Sequence, residues 1–169
     1  NWWLVPLENQ VGSGSTGSRQ ITVEVTAVPG MDTGKILALT SGKELKPYAG
    51  ARWADHVPDI VQSLLERSLE ASGSFMISSR GGASSNDQCR LNLETREFFT
   101  RLDAAGSTRN VSVSLVGEFS CNAGQPVPLT LSSALPVREP GMAQIVSSFQ
   151  AAMDEVTQSL LRKINNENQ

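Results

Sequence analysis

The chain has 169 residues and a formal net charge of -3 at pH 7, with 14 Lys and Arg residues in all. This charge argues against non-specific nucleic-acid binding, which needs clustered cations to displace counterions from phosphates. The length suits one domain, and the apolar runs are too short to cross a bilayer as a helix.

Residues 1–19 are predicted to be an arm followed by a flexible linker. Trp2 and Trp3 lie in the arm, and the low-complexity run Gly12 to Gly17 follows them. The sequence starts without a basic and apolar leader, so we expect that a signal or lipidation segment has been removed upstream of Asn1. Aromatic residues beside a flexible terminus often contact a partner or a membrane interface. The alternative is that the two tryptophans pack back on the domain's own sheet as an edge strand.

Residues 20–165 are predicted to form the single domain, which opens with strands. In residues 20–28 β-branched side chains alternate with polar ones, as in a half-buried strand, and Pro29 ends the run. A weaker second strand is predicted at residues 35–40. From there to Arg52 we expect an irregular stretch.

The hydrophobic period changes from Trp53 onwards and predicts an amphipathic helix. Asp55 is the expected N-cap, Pro58 falls in the first turn, and Gly73 stops the helix. Trp53 lies on the apolar stripe, where it either packs in the core or joins Arg52 in contacting a partner. The stripe comprises Trp53, Val57, Ile60, Val61, Leu64, Leu65 and Leu69.

A short strand at residues 75–78 and a polar Gly/Ser loop at residues 80–87 precede a predicted β-hairpin. Its strands are residues 89–102 and 110–121, paired about residue 105, and one face collects the apolar side chains. Glu97 falls on that face, which indicates a bulge near Phe98 and Phe99 or an open end of the ribbon. The expected cross-strand pairs are Cys89 with Cys121, Leu91 with Phe119, Leu93 with Gly117, and Phe99 with Val111.

The two cysteines are brought together by this register, and the sequence contains no others. We favour a disulfide between Cys89 and Cys121; the alternative is two unpaired thiols in a reduced, cytosolic protein. No CxxC or HxxxH pair is present, so no metal site is expected. His56 is the only histidine and has no nucleophile motif beside it, so we predict neither catalytic residues nor a cofactor.

The C-terminal third is predicted to contain a strand at residues 127–135, an amphipathic helix from Pro140 to Ile164, and a frayed tail at residues 166–169. The order of elements fits an α/β fold in which one mixed, mostly antiparallel sheet packs with two long helices. The helix between the first strand and the strand at Phe75 allows a right-handed parallel crossover.

Several of these segments resemble the ABC-type transport auxiliary lipoproteins, a family that includes the paraquat-inducible envelope lipoproteins. The distinctive piece is Arg52-Trp53-Ala54-Asp55, followed by the helix from Val57 to Leu69. Other segments match the family's parts in order, namely residues 2–6, 21–29, 91–119 and 142–164. The sequence departs from the family where its usual Glu-Pro after Trp-Ala is replaced by Asp55-His56-Val57-Pro58.

The resemblance implies a protein that is tethered by lipid to an envelope membrane, expected to be the outer one, and that faces the periplasm. It implies that the protein works together with a permease, an ATPase and an MCE-type substrate-binding protein, which move lipids. It also implies a fold akin to the N-terminal domain of the Tol translocation protein, and it supplies no catalytic residues. The oxidising periplasm suits a disulfide between Cys89 and Cys121.

Our first hypothesis is a non-catalytic module that binds a partner of the transport machine or another copy of itself. Its candidate contacts are Trp2, Trp3, Arg52 and Trp53. The alternative hypothesis is a periplasmic carrier that holds a lipid or another amphiphile between helix and sheet. A cavity on the order of several hundred Å³ would indicate the carrier.

Overall fold

A computed structural model describes residues 1–7, 19–78 and 88–167. The linker predicted at Gly12 to Gly17 and the loop predicted at residues 80–87 lie outside these ranges. The elements in chain order are β1 (Arg19–Ala27), β2 (Lys35–Leu39), β3 (Leu45–Arg52), α1 (Val57–Ala71), β4 (Phe75–Ile77), β5 (Gln88–Leu102), β6 (Thr108–Cys121), β7 (Val127–Pro136) and α2 (Met142–Glu167).

The strands form one seven-stranded sheet, mixed as predicted but with one strand more than the six predicted. The long strand β5 is its centre, because β6 pairs with it antiparallel along one side while β1 and then β2 pair with it parallel along the other. Outside these, β4 lies parallel to β1, β3 antiparallel to β2, and β7 antiparallel to β6. The predicted parallel relation between the first strand and the strand at Phe75 is therefore confirmed.

Both helices cover the same face of the sheet, which makes the fold two-layered. Val25, Leu93, Gly117 and Leu129 are successive cross-strand neighbours, and such neighbours share a face. On this face α1 packs against β1, and α2 packs against β6 and β7. The buried residues of both helices and of the sheet belong to one hydrophobic core.

The stretch before Arg52 is a strand, so the prediction of an irregular segment there was wrong. β3 pairs antiparallel with β2, with Leu45 opposite Leu39. Its side chains are almost all exposed, so the strand lacks the alternation of buried and polar residues that reveals a half-buried strand. Pro47 further obscures the pattern, and it is tolerated because β3 is an edge strand.

The hairpin of β5 and β6 has the predicted register at its open end and a different one near its turn. The pairs of Cys89 with Cys121, Leu91 with Phe119, and Leu93 with Gly117 are confirmed, but Phe99 lies opposite Ser112 and not Val111. The register shifts between Thr95 and Glu97, so the bulge precedes the phenylalanines. This extra residue puts Phe98 in the core and leaves the Glu97 carboxylate half-buried, where it accepts a hydrogen bond from Arg101. In the predicted register the Glu97 carboxylate would face the core without a partner, and burying an unpaired charge is costly. The bulge avoids this cost.

A disulfide joins Cys89 to Cys121 across the open end of this hairpin. The predicted disulfide is therefore confirmed. It links the start of β5 to the last residue of β6.

The ends of the helices differ in detail from the predictions. The N-cap of α1 is His56 and not Asp55, whose Oδ1 accepts a hydrogen bond from the N–H of His56 at 2.7 Å. The Asp55 carboxylate thus has its hydrogen-bond partner two residues before the helix begins at Val57. Gly73 has a φ of 79° and follows the C-cap, as expected for a helix stop. At the other end of the chain α2 continues to Glu167, into the stretch predicted to fray.

Candidate functional site

The first residues of the N-terminal arm pair with the chain just before α1. The Trp2 N–H donates to the carbonyl oxygen of Arg52 at 2.7 Å, and the Ala54 N–H donates to the carbonyl oxygen of Trp2 at 2.8 Å. These bonds form a parallel bridge between Trp2 and Trp53. The sequence left open whether the two tryptophans contact a partner or pack back on the domain. The backbone of Trp2 packs back on the domain.

The rest of the arm crosses from one helix to the other. Val5 donates its N–H to Gln150 Oε1 at 2.8 Å and accepts from Gln150 Nε2 at 2.9 Å, which ties the arm to α2. Two residues further on, the Leu7 N–H donates to Ser68 Oγ of α1 at 3.1 Å. Leu4, just before these contacts, is buried, and so is Pro6, which lies between them. The arm therefore fills the space above the core between the two helices and has a fixed course.

Trp53 is a core residue and offers no surface to a partner. Its side chain is 2% exposed and meets the rings of Phe98 and Phe149 edge-on, at centroid distances of 5.7 Å and 5.2 Å. Phe98 and Phe149 stack on each other at 5.0 Å. Of the two roles considered for Trp53, packing in the core is the one that the structure supports, and its inclusion among the contact residues is corrected.

The other three candidates reach the surface to different extents. Trp3 is 68% exposed, Arg52 is exposed and Trp2 is half-buried. Val5 is 52% exposed and lies on the same side of the arm as Trp3, because side chains alternate along an extended chain. The sequence analysis did not single out Val5. No sequence signal singles it out, since residues 3–6 are all apolar and only the structure shows that exposed and buried side chains alternate there.

A groove of about 170 Å³ lies between the arm and α1. Its apolar wall includes Leu4, Ile60 and Leu64. Charged side chains lie around it, and the whole lining consists of Trp3, Leu4, Ala54, Asp55, Asp59, Ile60, Ser63, Leu64 and Arg67. Pockets that enclose a small-molecule ligand measure roughly 300–1,000 Å³. The groove is therefore suited to one or two side chains of another molecule more than to a whole lipid.

His56 and Asp32 form an exposed ion pair near one end of this groove. His56 Nδ1 lies 2.9 Å from Asp32 Oδ1, and this hydrogen bond is the main reason that the pKa of His56 is raised, with smaller contributions from Asp55 and Asp59. The pair is an electrostatic feature of the start of α1.

Replacing Asp32 with Asn is expected to lower the pKa of His56, measured by NMR titration of its ring. Because the pKa is raised in the folded state, the pair stabilises the fold fully below the unfolded pKa of about 6.5 and loses this effect as the pH rises through the folded pKa. Asp59→Asn is the control and should lower the pKa less, since it acts only through charge. An unchanged pKa in Asp32→Asn would contradict the assignment of the hydrogen bond as the main cause.

Within residues 1–7, 19–78 and 88–167, no group of three or more His, Cys, Asp or Glu side chains is arranged to hold a metal ion. Neither helix in these ranges combines the length and the apolar character needed to span a membrane.

Comparisons with known proteins bear on family and fold. The family model described as "ABC-type transport auxiliary lipoprotein component" matches residues 4–160. The fold is similar to the crystal structure of a Xanthomonas campestris protein assigned to a domain-of-unknown-function family, with 23% identity, a TM-score of 0.72, and coverage of 94% of this chain and 88% of that one. It is also similar to the crystal structure of an uncharacterized protein, with 17% identity, a TM-score of 0.75, and coverage of 96% of each chain. No curated protein matches the sequence significantly.

Proposed function

The chain belongs to the ABC-type transport auxiliary lipoprotein component family, and from this premise we propose that it is a non-catalytic module that binds a protein partner of its transport system. Membership makes it an auxiliary lipoprotein component of an ABC-type transporter and suggests a membrane-anchored protein of the cell envelope. We further propose a lipid anchor in the outer membrane, a periplasmic position, and an MCE-type substrate-binding protein as the partner. The likeness of the fold to the N-terminal domain of the Tol translocation protein stays a prediction.

The observation that carries this proposal is the exposure of Trp3 on an arm whose backbone is already fixed. Aromatic side chains dominate the energetics of protein interfaces, and Trp is the most enriched residue at their centres. Because Trp2 and Val5 hold the arm by backbone hydrogen bonds on either side, contact with a partner would order little additional chain. Trp3 and Val5 therefore form a pre-organised apolar contact.

The groove beside Trp3 supports a protein partner over a lipid. Its apolar wall is small, and Asp55, Asp59 and Arg67 give it charges of both signs. Such a surface complements a protein segment with an apolar anchor and a polar surround. The carrier hypothesis gains no support from a groove of this size and stays a prediction.

Replacing Trp3 with Ala is expected to weaken binding of the partner by about 30-fold, as for an interface residue worth roughly 2 kcal/mol. The full-length lipidated protein would be purified from envelope, and co-eluting proteins and extracted lipids identified by mass spectrometry. Met76→Ala is the matched control, because Met76 is 56% exposed on β4, away from the arm.

Three results would contradict the proposal. If an MCE-type protein co-elutes equally well with Trp3→Ala and Met76→Ala, the arm is not the contact. If stoichiometric lipid is extracted and no transport protein co-elutes, the domain is a carrier. Loss of envelope binding by unlipidated Trp3→Ala, with no change in protein partners, would instead assign Trp3 to the membrane interface.

A further inference from the structure

Two ridges of α1 side chains lie along the groove between this helix and the arm. Residues four apart on a helix form such ridges. The polar ridge is exposed and comprises Asp59, Ser63 and Arg67. The apolar ridge beside it begins with Ile60 and Leu64, and all five residues line the groove. The apolar ridge thus contributes to the wall of the groove, and the polar ridge forms its rim.

The arm forms the other side of the groove and runs in the same direction as α1. It starts beside Arg52, just before the helix, and its Leu7 N–H donates to Ser68 Oγ in the last turn of the helix. Ser68 is the next member of the apolar ridge, so this ridge lies nearer to the arm than the polar ridge does. The chain from Trp2 to Leu7 spans about 16 Å when extended, which is close to the rise of α1 from Val57 to Ser68. The surface of α1 therefore already holds one extended chain along its length.

The two charges of the polar ridge lie at opposite ends of the groove. Asp59 is in the first turn of α1, where Asp55 adds a second carboxylate, and Arg67 is eight residues further along the helix. Eight residues of a helix rise about 12 Å. The ion pairs found in residues 1–7, 19–78 and 88–167 include none of these three side chains. A partner can therefore pair with Asp59 or Arg67 without breaking an ion pair within these residues.

Charge complementarity determines which segment fits this surface. A matching segment presents a cation to Asp59, an apolar side chain to the wall of the groove, and an anion to Arg67. In an extended chain alternate side chains point to one face, and four residues span about 13 Å, close to the separation of the two charges. Three side chains at positions i, i+2 and i+4 would therefore make all three contacts at once.

A helical segment fits this groove less well. Its side chains would have to lie at i, i+4 and i+8 to span the same distance. The arm is hydrogen-bonded at both ends of the groove, by Trp2 and Leu7, so a helix about 10 Å wide cannot lie between the arm and α1. An extended chain needs only about 5 Å, the spacing of neighbouring strands. The volume of about 170 Å³ is likewise enough for side chains and not for a helix.

We propose that the groove binds an extended segment of a partner protein with the pattern Lys/Arg-x-apolar-x-Asp/Glu. The inference rests on the proposed function, because it names the chemistry of the segment that meets the arm. The cationic side chain pairs with Asp59 and the anionic one with Arg67. Between them the apolar side chain packs on Ile60 and Leu64 beside Trp3.

The pattern is tested with synthetic peptides whose ends are blocked, added to the chain at millimolar concentration. Binding is followed by the NMR signal of the Trp3 indole N–H, which is identified by its loss in Trp3→Phe. Lys-Ser-Leu-Ser-Glu should shift this signal. It should bind about 5-fold more tightly than Lys-Ser-Leu-Ser-Lys or Glu-Ser-Leu-Ser-Glu, because each of these replaces one exposed ion pair with a repulsion.

Replacing Asp59 with Lys should reverse the preference. This variant should bind Glu-Ser-Leu-Ser-Glu more tightly than Lys-Ser-Leu-Ser-Glu, because the new side chain attracts an anion and repels a cation. A variant that had only lost its fold would bind neither peptide. Glu118→Lys is the matched control, because Glu118 is exposed on the face of the sheet without helices and the change in net charge is the same. It should keep the preference of the unaltered chain.

Several results would overturn the inference. They are the absence of a shift with any peptide, equal affinities for the three peptides, an unchanged preference in Asp59→Lys, and tighter binding of the helix-forming peptide Lys-Ala-Ala-Ala-Leu-Ala-Ala-Ala-Glu. A Trp3 signal that moves on dilution without peptide would also overturn it, by assigning the groove to a second copy of the chain.

The co-elution experiment separates this inference from the proposed function. If co-elution of an MCE-type protein depends on Trp3 but the peptides are not distinguished, the pattern fails and the proposed function stands. If the peptides are distinguished as expected and no transport protein co-elutes, the proposed function fails and the pattern stands.

Discussion

Replacing Phe149 with Ala is expected to lower the free energy of unfolding by about 4 kcal/mol, in the range measured for buried aromatic residues. The side chain is fully buried and packs against the rings of both Phe98 and Trp53. It comes from α2, whereas Phe98 belongs to β5 and Trp53 lies just before α1. The substitution therefore leaves a cavity where both helices and the sheet meet, and the surrounding elements cannot all collapse into it.

Urea unfolding followed by circular dichroism measures this loss. Ser147→Ala is the control on the same helix, because Ser147 is exposed and should change the free energy of unfolding by less than about 0.5 kcal/mol. Phe149→Leu keeps most of the volume and should cost clearly less than Phe149→Ala. A loss below about 1 kcal/mol for Phe149→Ala would mean that the aromatic cluster is loosely packed.

Replacing Gly117 with Ala is expected to destabilise the sheet by at least about 4 kcal/mol, beyond the usual range for one added methyl group. A Cβ at this position would lie 1.9 Å from the carbonyl oxygen of Asn92 and 2.9 Å from Cα of Leu93. All of these atoms are backbone atoms of β5, so no flexible side chain can move aside. The two strands would have to separate where β6 crosses the centre of the sheet.

The control for this substitution is Gly42→Ala in the turn between β2 and β3. The nearest atom to a Cβ there is Thr40 Oγ1 at 3.7 Å, an ordinary contact, so the free energy of unfolding should change by less than about 1 kcal/mol. Both variants would be compared by their urea midpoints. Equal stability of the two would show that β5 and β6 do not approach each other closely at Gly117.

Much of the fold could be predicted because its elements have one buried face. Val25 and Leu93 lie in strands with a clear alternation, and Leu65 lies on a helical stripe, so the period of the sequence reports their surroundings. β3 has no buried face, so its residues carry no such signal. A bulge was predicted because Glu97 would otherwise lie on the apolar face. The residue at which the strand takes up the extra position depends on packing between the strands, which the sequence pattern does not determine.

The course of the arm could not be predicted for a different reason. Its contacts join residues that are far apart in sequence, as Val5 and Gln150 are, and a polar side chain such as Gln150 is common on exposed helix faces. Nothing local to Trp2 or Trp3 distinguishes a docked arm from a free one. For Trp53 the sequence did indicate the surroundings of the side chain. Its place on the apolar stripe of the helix favoured a core position, and the side chain is buried.

Cys89 and Cys121 are the only cysteines among these 169 residues, and this number has a consequence for how the bond between them forms. Four cysteines can pair in three ways, but two can pair in only one. Among these 169 residues, oxidation within a chain cannot produce a wrong isomer, so this bond requires no reshuffling enzyme afterwards. Both residues also belong to one continuous hairpin, so the bond needs nothing from β1, from either helix or from the N-terminal arm. Formation of this bond within the 169 residues should thus depend on a thiol oxidase and not on a disulfide isomerase.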